Sequence, residues 1–178
     1  MRHLAVTAVG RDKPGIVAGV VAPLTRLGCN IEDSRMAILG GHFAMVLVVG
    51  GPDDLDEPAL RAELTSARGE LDLDQVELRA VGDPEAVAAQ QTATHIVTAY
   101  GADHPGIVLA IADALAGLSV NICDLQTRLV GDPALYAMFV EVALPTGLTA
   151  DALGAALAAA AEAAGVELSL RELDTESL

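Results

Sequence analysis

Tryptophan is absent from this sequence, and its aromatic residues are Phe43, Tyr100, Tyr136 and Phe139 alone. Lysine occurs once, as Lys13, and 10 Lys+Arg stand against 25 Asp+Glu for a net charge of -15. Phosphate neutralisation needs clustered cations and base stacking needs exposed rings. Direct nucleic-acid binding is therefore excluded as an expectation. The two cysteines, Cys29 and Cys123, are too few for a disulfide framework and have no neighbouring histidine pattern, so neither a metal site nor a cofactor is expected. No apolar leader opens the chain, because Thr7, Gly10, Arg11, Asp12 and Lys13 interrupt it early. A reduced, cytoplasmic setting follows as the expectation.

Apolar residues are plentiful, at 52% of 178 residues with only 20% charged, which excludes disorder and calls for an aliphatic core. A long uncharged run, Met36 to Pro52, raises the question of a membrane span. Gly40-Gly41 divides it into two segments of strand length, so a hairpin is expected and no membrane segment.

A repeat organises the chain. Gly10 to Ile16 (GRDKPGI) recurs as Gly101 to Ile107 (GADHPGI) at an offset of 91, and the same offset carries Asn30-Ile31 onto Asn121-Ile122. Phe43-Ala44-Met45 matches Tyr136-Ala137-Met138, and Val76-Glu77-Leu78 matches Val166-Glu167-Leu168. Two domains are expected, 1–81 and 92–178, with a linker over 82–91 that opens on GDPE.

Each copy alternates its periodicities in one order. Leu4 to Val9 reads as a buried strand; Ile16, Val17, Val20, Val21, Leu24 and Leu27 then fall on one helical face, repeated by Ile107, Val108, Ile111, Ala112, Leu115 and Leu118. Pro14 and Pro105 suit a helix start, Gly28 a helix end, and Pro23 predicts a kink confined to the first copy. A hairpin follows (Ile31 to Leu39 and Phe43 to Val49), then a helix near Pro58 to Leu71 and a strand near Val76 to Val81. The second copy repeats these as Ile122 to Val130, Leu135 to Leu144, Ala150 to Ala164 and Val166 to Leu170. The fold class is α+β. Strand, helix, strand, strand, helix, strand with right-handed crossovers gives a ferredoxin-like βαββαβ unit, a four-stranded antiparallel sheet with both helices on one face. The uncovered face or an edge is expected to be buried in an assembly.

The loop before the first helix of each copy is the chemical candidate. In Asp12-Lys13-Pro14-Gly15-Ile16, the amides that open the helix lack intrahelical acceptors and favour an anion such as a carboxylate. Gly15 permits close approach, and Asp12 faces an ammonium in this reading, which suits a zwitterion. Asp103-His104-Pro105-Gly106-Ile107 has the same parts. The alternative is that Asp caps the helix and Pro starts it, with no ligand involved. Asn30 and Asn121 open the second strands, as ligand carboxamides or as residues that tolerate a left-handed backbone. The acidic run Asp53 to Glu57 lacks the spacing of a calcium loop and reads as a solvated helix start. No Walker loop, GxGxxG after a strand, nucleophile elbow or zinc spacing is present, so no catalytic residue is expected.

The twice-used D-x-P-G-I pattern with N-I about fourteen residues later resembles the ACT domain, a small amino-acid-sensing module. More narrowly, Gly10 to Val49 resembles the first domain of the glycine cleavage system repressors, a family built of two ACT domains. The resemblance implies side-by-side pairing of units into homodimers or larger oligomers, with an amino acid bound where Asp12 to Ile16 of one unit faces Asn30-Ile31 of another. Asp103 to Ile107 with Asn121-Ile122 would form the second set. It further implies a non-enzymatic regulator acting through a partner, a transcription factor in the main reading and an amino-acid metabolic enzyme in the alternative. Lys13 against His104, and Gly28 against Ser119, leave the two sites free to differ.

Overall fold

A computed structural model describes residues 2–84, 92–132 and 135–173. The chain divides into two compact units, Met1–Ala86 and Val87–Leu178. Most of the expected linker, residues 85–91, lies outside the described residues.

The first unit runs β1 (Arg2–Arg11), α1 (Ile16–Arg26), β2 (Asn30–Leu39), β3 (His42–Gly51), α2 (Glu57–Glu70) and β4 (Leu73–Val81). The second runs β5 (His95–Ala102), α3 (Ile107–Gly117), β6 (Asn121–Val130), β7 (Leu135–Ala143), α4 (Ala150–Ala163) and β8 (Val166–Glu172). Each forms one antiparallel sheet, ordered β2-β3-β1-β4 and β6-β7-β5-β8. This is the ferredoxin-like α+β arrangement expected from the periodicities.

Alternation along the central strands sorts the side chains. Leu4, Val6 and Ala8 of β1 and Phe43, Met45, Leu47 and Val49 of β3 are buried, and pack with Ile16, Val20 and Leu24 of α1 and Leu60 and Leu64 of α2. In the second unit Val97, Ala99, Met138, Val140 and Val142 meet Ile107, Ile111, Leu115, Leu153 and Leu157. Strand β1 is thus buried on one face only, and not throughout as its apolar run suggested. Aliphatic side chains fill a two-layer core without bulk, which explains the scarcity of rings.

The helical stripes end where expected, but by different means. Helix α1 continues through Pro23 to Arg26, and Gly28 then takes a left-handed φ of 76°. Its amide donates to Thr25 O at 3.1 Å and that of Cys29 to Leu24 O at 2.9 Å, the Schellman pattern. The second unit makes the same bonds, Ser119 to Ala116 and Val120 to Leu115, with Ser119 forced to a φ of 55°. A Cβ there strains the backbone. Ser119→Gly is expected to stabilise the second unit by about 0.5–1 kcal/mol, less than the full strain because glycine loosens the unfolded chain. Gly28→Ser should destabilise the first, because a Cβ at Gly28 meets only ordinary contact with Pro52, leaving backbone strain as the main cost. Urea melts of the two variants check this; equal midpoints for Ser119→Gly and the parent would contradict it.

The edge strands carry an unused apolar surface. Every residue of β2 is exposed, including Met36, Ile38 and Leu39, and β6 leaves Leu125, Leu129 and Val130 exposed. An edge with free backbone groups and apolar side chains is a template for pairing.

Candidate functional site

The two helices of each unit begin differently. Helix α2 is capped by Asp56, whose Oδ1 accepts from the Ala59 amide at 2.9 Å, and α4 by Thr149, whose hydroxyl accepts from the Ala152 amide at 3.2 Å. The acidic run therefore supplies a helix cap, as its composition suggested. Helices α1 and α3 start instead on Gly15 and Gly106, at φ values of 93° and 104°, with no side-chain cap and no acid in the first turn. Asp12 and Asp103 do not cap them. The opening amides of α1 and α3 consequently keep their donor capacity and the positive end of the dipole without a side-chain counterweight. A left-handed backbone at both positions accounts for glycine there, and a Cβ on either would meet nothing within 4 Å. That open space is what a ligand needs.

In the first unit this helix start opens onto a cavity of about 710 Å³. Asp12, Lys13, Pro14, Gly15 and Ile16 line it together with Ile31 of the same unit, whereas the resemblance implied Asn30-Ile31 of another. Its apolar wall, Val17, Ala18, Val21, Met36 and Phe43, was not foreseen as part of a site. Val17 and Val21 read as part of the core stripe, Ala18 lies outside it, and Met36 and Phe43 enter through strand pairing across the hairpin. Asn30 is exposed at the start of β2, opposite Gly50, and does not line this cavity. The Ile16 side chain is in the core, which leaves its amide as its contribution. The Asp12 amide donates to Gly41 O at 3.0 Å, tying the loop to the hairpin turn.

The second unit places its residues similarly, with one local difference. Asp103, His104, Pro105 and Gly106 are exposed, Ile107 is in the core, Ile122 packs at the core margin, and Asn121 Nδ2 donates to Cys123 Sγ at 3.8 Å. His104 Nε2 lies 2.7 Å from Ala164 O, and Nδ1 lies 3.1 Å from Pro105 O. Both partners are acceptors, and a neutral imidazole has one N–H while the imidazolium has two. The fold therefore favours the cation. The Pro105 carbonyl, then the Ala164 carbonyl, and lastly the Asp103 carboxylate raise its pKa above the usual histidine value. A raised folded pKa means a contribution fully present below the unfolded pKa and lost as pH rises through the folded one. Stability of the second unit is expected to fall as pH rises through and above the usual histidine range, by more in the parent than in His104→Gln. Parallel pH profiles in urea melts followed by tyrosine fluorescence would refute it.

Burial pushes the Cys29 thiol up, away from a reactive thiolate. Among the described residues no cluster of His, Cys, Asp and Glu is placed to hold a metal ion, and no helix is long and apolar enough to cross a membrane.

The ACT domain family matches residues 2–78 and 93–171. The chain is 29% identical over 174 residues to the glycine cleavage system transcriptional repressor of Escherichia coli (strain K12), covering 98% of this chain and 85% of that protein. A UPF0237 protein of Methanopyrus kandleri is 40% identical over 77 residues, 43% of this chain and 86% of its own length. Among solved structures, an unknown protein from Galdieria sulphuraria superposes with a TM-score of 0.81 at 31% identity, covering 97% of this chain and 98% of that one. A relative of named role that matches nearly the whole chain is a repressor, a regulatory protein, in agreement with the expectation of a non-enzymatic chain. Two sheets of one topology, two uncapped glycine-initiated helices at D-x-P-G-I loops, and two family matches together fill most of the sequence: the chain belongs to the ACT domain family, as a tandem pair similar to the glycine cleavage system repressor.

Proposed function

We propose that this protein is a cytoplasmic amino-acid sensor that regulates through a protein partner and not by contact with DNA. The observation that carries the reading is the uncapped start of α1 opening on a cavity lined by both Asp12 and Lys13. A zwitterion places its carboxylate on the first amides of α1 with Lys13 nearby, and its ammonium toward Asp12. Val17, Val21, Ile31, Met36 and Phe43 receive a small apolar side chain. Pairing of β2 edges between copies would close the cavity's exposed side with Asn30-Ile31 of another unit, making the site sensitive to assembly. Asp103 to Ile107 with Asn121-Ile122 form the corresponding second site. Differential affinity for paired and unpaired units then sets the size of the signal. The repressor named above supplies the analogy for a transcriptional output; the net charge of -15 supports a protein, not DNA, as the immediate target.

Calorimetry against the twenty amino acids tests this. One or a few small amino acids should bind the parent and lose at least about tenfold in affinity with Ala18→Trp, which occupies the cavity from an exposed helical position without a strained φ. No heat with any amino acid would overturn the sensing claim. Co-purification of a metabolic enzyme in place of a transcription factor would assign the output to enzyme regulation.

A further inference from the structure

The helix-free face of the second sheet holds a cleft that this reading leaves unused. On β5, Ile96, Thr98 and Tyr100 alternate with the buried Val97 and Ala99, and so lie on that face. Registration places Tyr100 beside Ala137 and Thr98 beside Phe139, then Gln126 beside Phe139, Arg128 beside Ala137 and Val130 beside Leu135. The rings of Tyr100 and Phe139 meet edge to face, centroids 6.0 Å apart at 87°. They wall a cleft of about 470 Å³, within the range of small-molecule sites. Its floor is Ala137, only 3% exposed, whose short side chain leaves a depression between Tyr100 and Arg128. Val130 and Leu135 close it toward the hairpin.

Two observations narrow the occupant. The first is that the duplication does not share the cleft. By register, Val9, Val46 and Ala37 stand in the first unit where Tyr100, Phe139 and Arg128 stand in the second. The ring pair is therefore specific to this sheet, and its arginine stands in the row of Ala137, whereas Arg35 of the first sheet stands one row away, beside Val46. The second is charge. Residues 91–178 contain two arginines, Arg128 and Arg171, and no lysine against eleven Asp+Glu, and strand pairing puts both arginines on this face, Arg171 opposite Ile96. No acid lines the cleft, although three adjoin it. Asp124 and Glu141 pair one row beyond Phe139, with Asp124 accepting from the lining Gln126 Nε2 at 3.1 Å, and Glu167 pairs with Tyr100 on the side away from Ala137. Arg128 is exposed, and among the described residues no ion-pair partner is present for it.

We propose that this cleft is a second ligand site that takes a small aryl carboxylate. The ligand's ring stacks over Ala137 against Tyr100 and Phe139, and its carboxylate pairs with the Arg128 guanidinium. Edge-to-face rings leave faces available to a third ring, and guanidinium matches a carboxylate in planar, bidentate fashion. A second copy is the weaker occupant, because it would bring two halves of net charge -9 onto a face whose cleft offers a cation.

Fluorine NMR of 4-fluorophenylacetate with the full chain is the test, with 4-fluorophenethylamine as the same ring bearing the opposite charge. The carboxylate signal should broaden and shift on titration while the amine signal does not. Arg128→Gln and Phe139→Val, the latter restoring the first unit's residue, should each weaken binding by about tenfold or more. Ala18→Trp should leave it unchanged, which separates this site from the loop. Arg128 is exposed, so its variant remains decisive if Phe139→Val unfolds. Three results would overturn the proposal: no binding of the carboxylate, equal binding of the amine, or undiminished binding by Arg128→Gln. Dissociation of an oligomer by Phe139→Val in sedimentation would also overturn it, by assigning the face to self-association.

Discussion

Leu24→Ala and its repeat mate Leu115→Ala should each remove about 3 kcal/mol from the unit that carries it, near the middle of the range for a fully buried leucine. Both side chains are 0% exposed, at equivalent positions of α1 and α3. Leu24 packs in a cluster with Phe43, Leu47 and Leu60, and Leu115 in one with Met138, Val140 and Leu153. The transfer term is the same at both sites, so any difference comes from how far the surroundings collapse. The second core contains Ala99, Ala161 and Ala164 among its buried members, and these small residues have little side chain to move into a void. Leu115→Ala should therefore cost at least as much as Leu24→Ala. The two are separable by probe. Tyr100 and Tyr136 are the only tyrosines and both lie in the second unit, so tyrosine fluorescence reports its unfolding while far-ultraviolet dichroism reports both. A cost below about 1 kcal/mol at either position would contradict the core described above.

These two leucines also show what was legible in the sequence. Of the stripe Ile16, Val17, Val20, Val21, Leu24 and Leu27 and its repeat, helical spacing places Ile16, Val20, Leu24, Ile107, Ile111 and Leu115 in the core, whereas Val17 and Val108 are exposed at its margin. Strand order followed from element order and handedness, because few topologies satisfy both. Periodicity gives the face on which a residue lies, and it does not give the neighbour on the next strand. Tyr100 and Phe139 are separated by 39 positions and meet only through the β5–β7 register, so their cleft was invisible to motif reading. Likewise, a sequence reading could not choose between Asp12 as cap and Asp12 as ligand group. The choice against capping turns on Gly15 occupying the N-cap position, a dihedral fact that spacing leaves open. His42 reads as part of the hairpin turn and instead begins β3, with Gly40-Gly41 alone making the turn. Strand β2 is exposed along its length, with Leu39 at 74%. An edge strand has a neighbour on one side, and here the helices do not reach over it.

Gly10→Ala and Gly101→Ala should each destabilise by about 1–3 kcal/mol, the range for forcing an extra carbon into a packed interior. Sequence repetition alone offers two accounts of these glycines, a turn requirement or a steric one, and neither residue has the positive φ that would argue for a turn. Sterics decide it. A Cβ on Gly10 would lie 3.0 Å from Leu73 Cα and 3.2 Å from the Asp74 amide nitrogen, where the β1–β4 register shifts between Val9 and Gly10. A Cβ on Gly101 would lie 3.2 Å from Val166 Cα and 2.8 Å from its Cγ1. Backbone of a paired strand cannot yield without loosening the ladder, so β4 or β8 must move as a whole. Gly19 provides the contrast. Its Cβ would come as near as 2.6 Å to a neighbour, yet the three nearest atoms all belong to the Leu71 side chain, which is only partly buried and can turn more easily than a backbone can shift. Alanine also gains up to about 1 kcal/mol over glycine within a helix, so Gly19→Ala should be close to neutral despite the shortest contact of the three. Chemical denaturation of the three variants measures the ordering directly. If Gly19→Ala proves the most damaging, distance to the nearest atom and not the stiffness of what carries it would set the cost, and the steric account of Gly10 and Gly101 would fail.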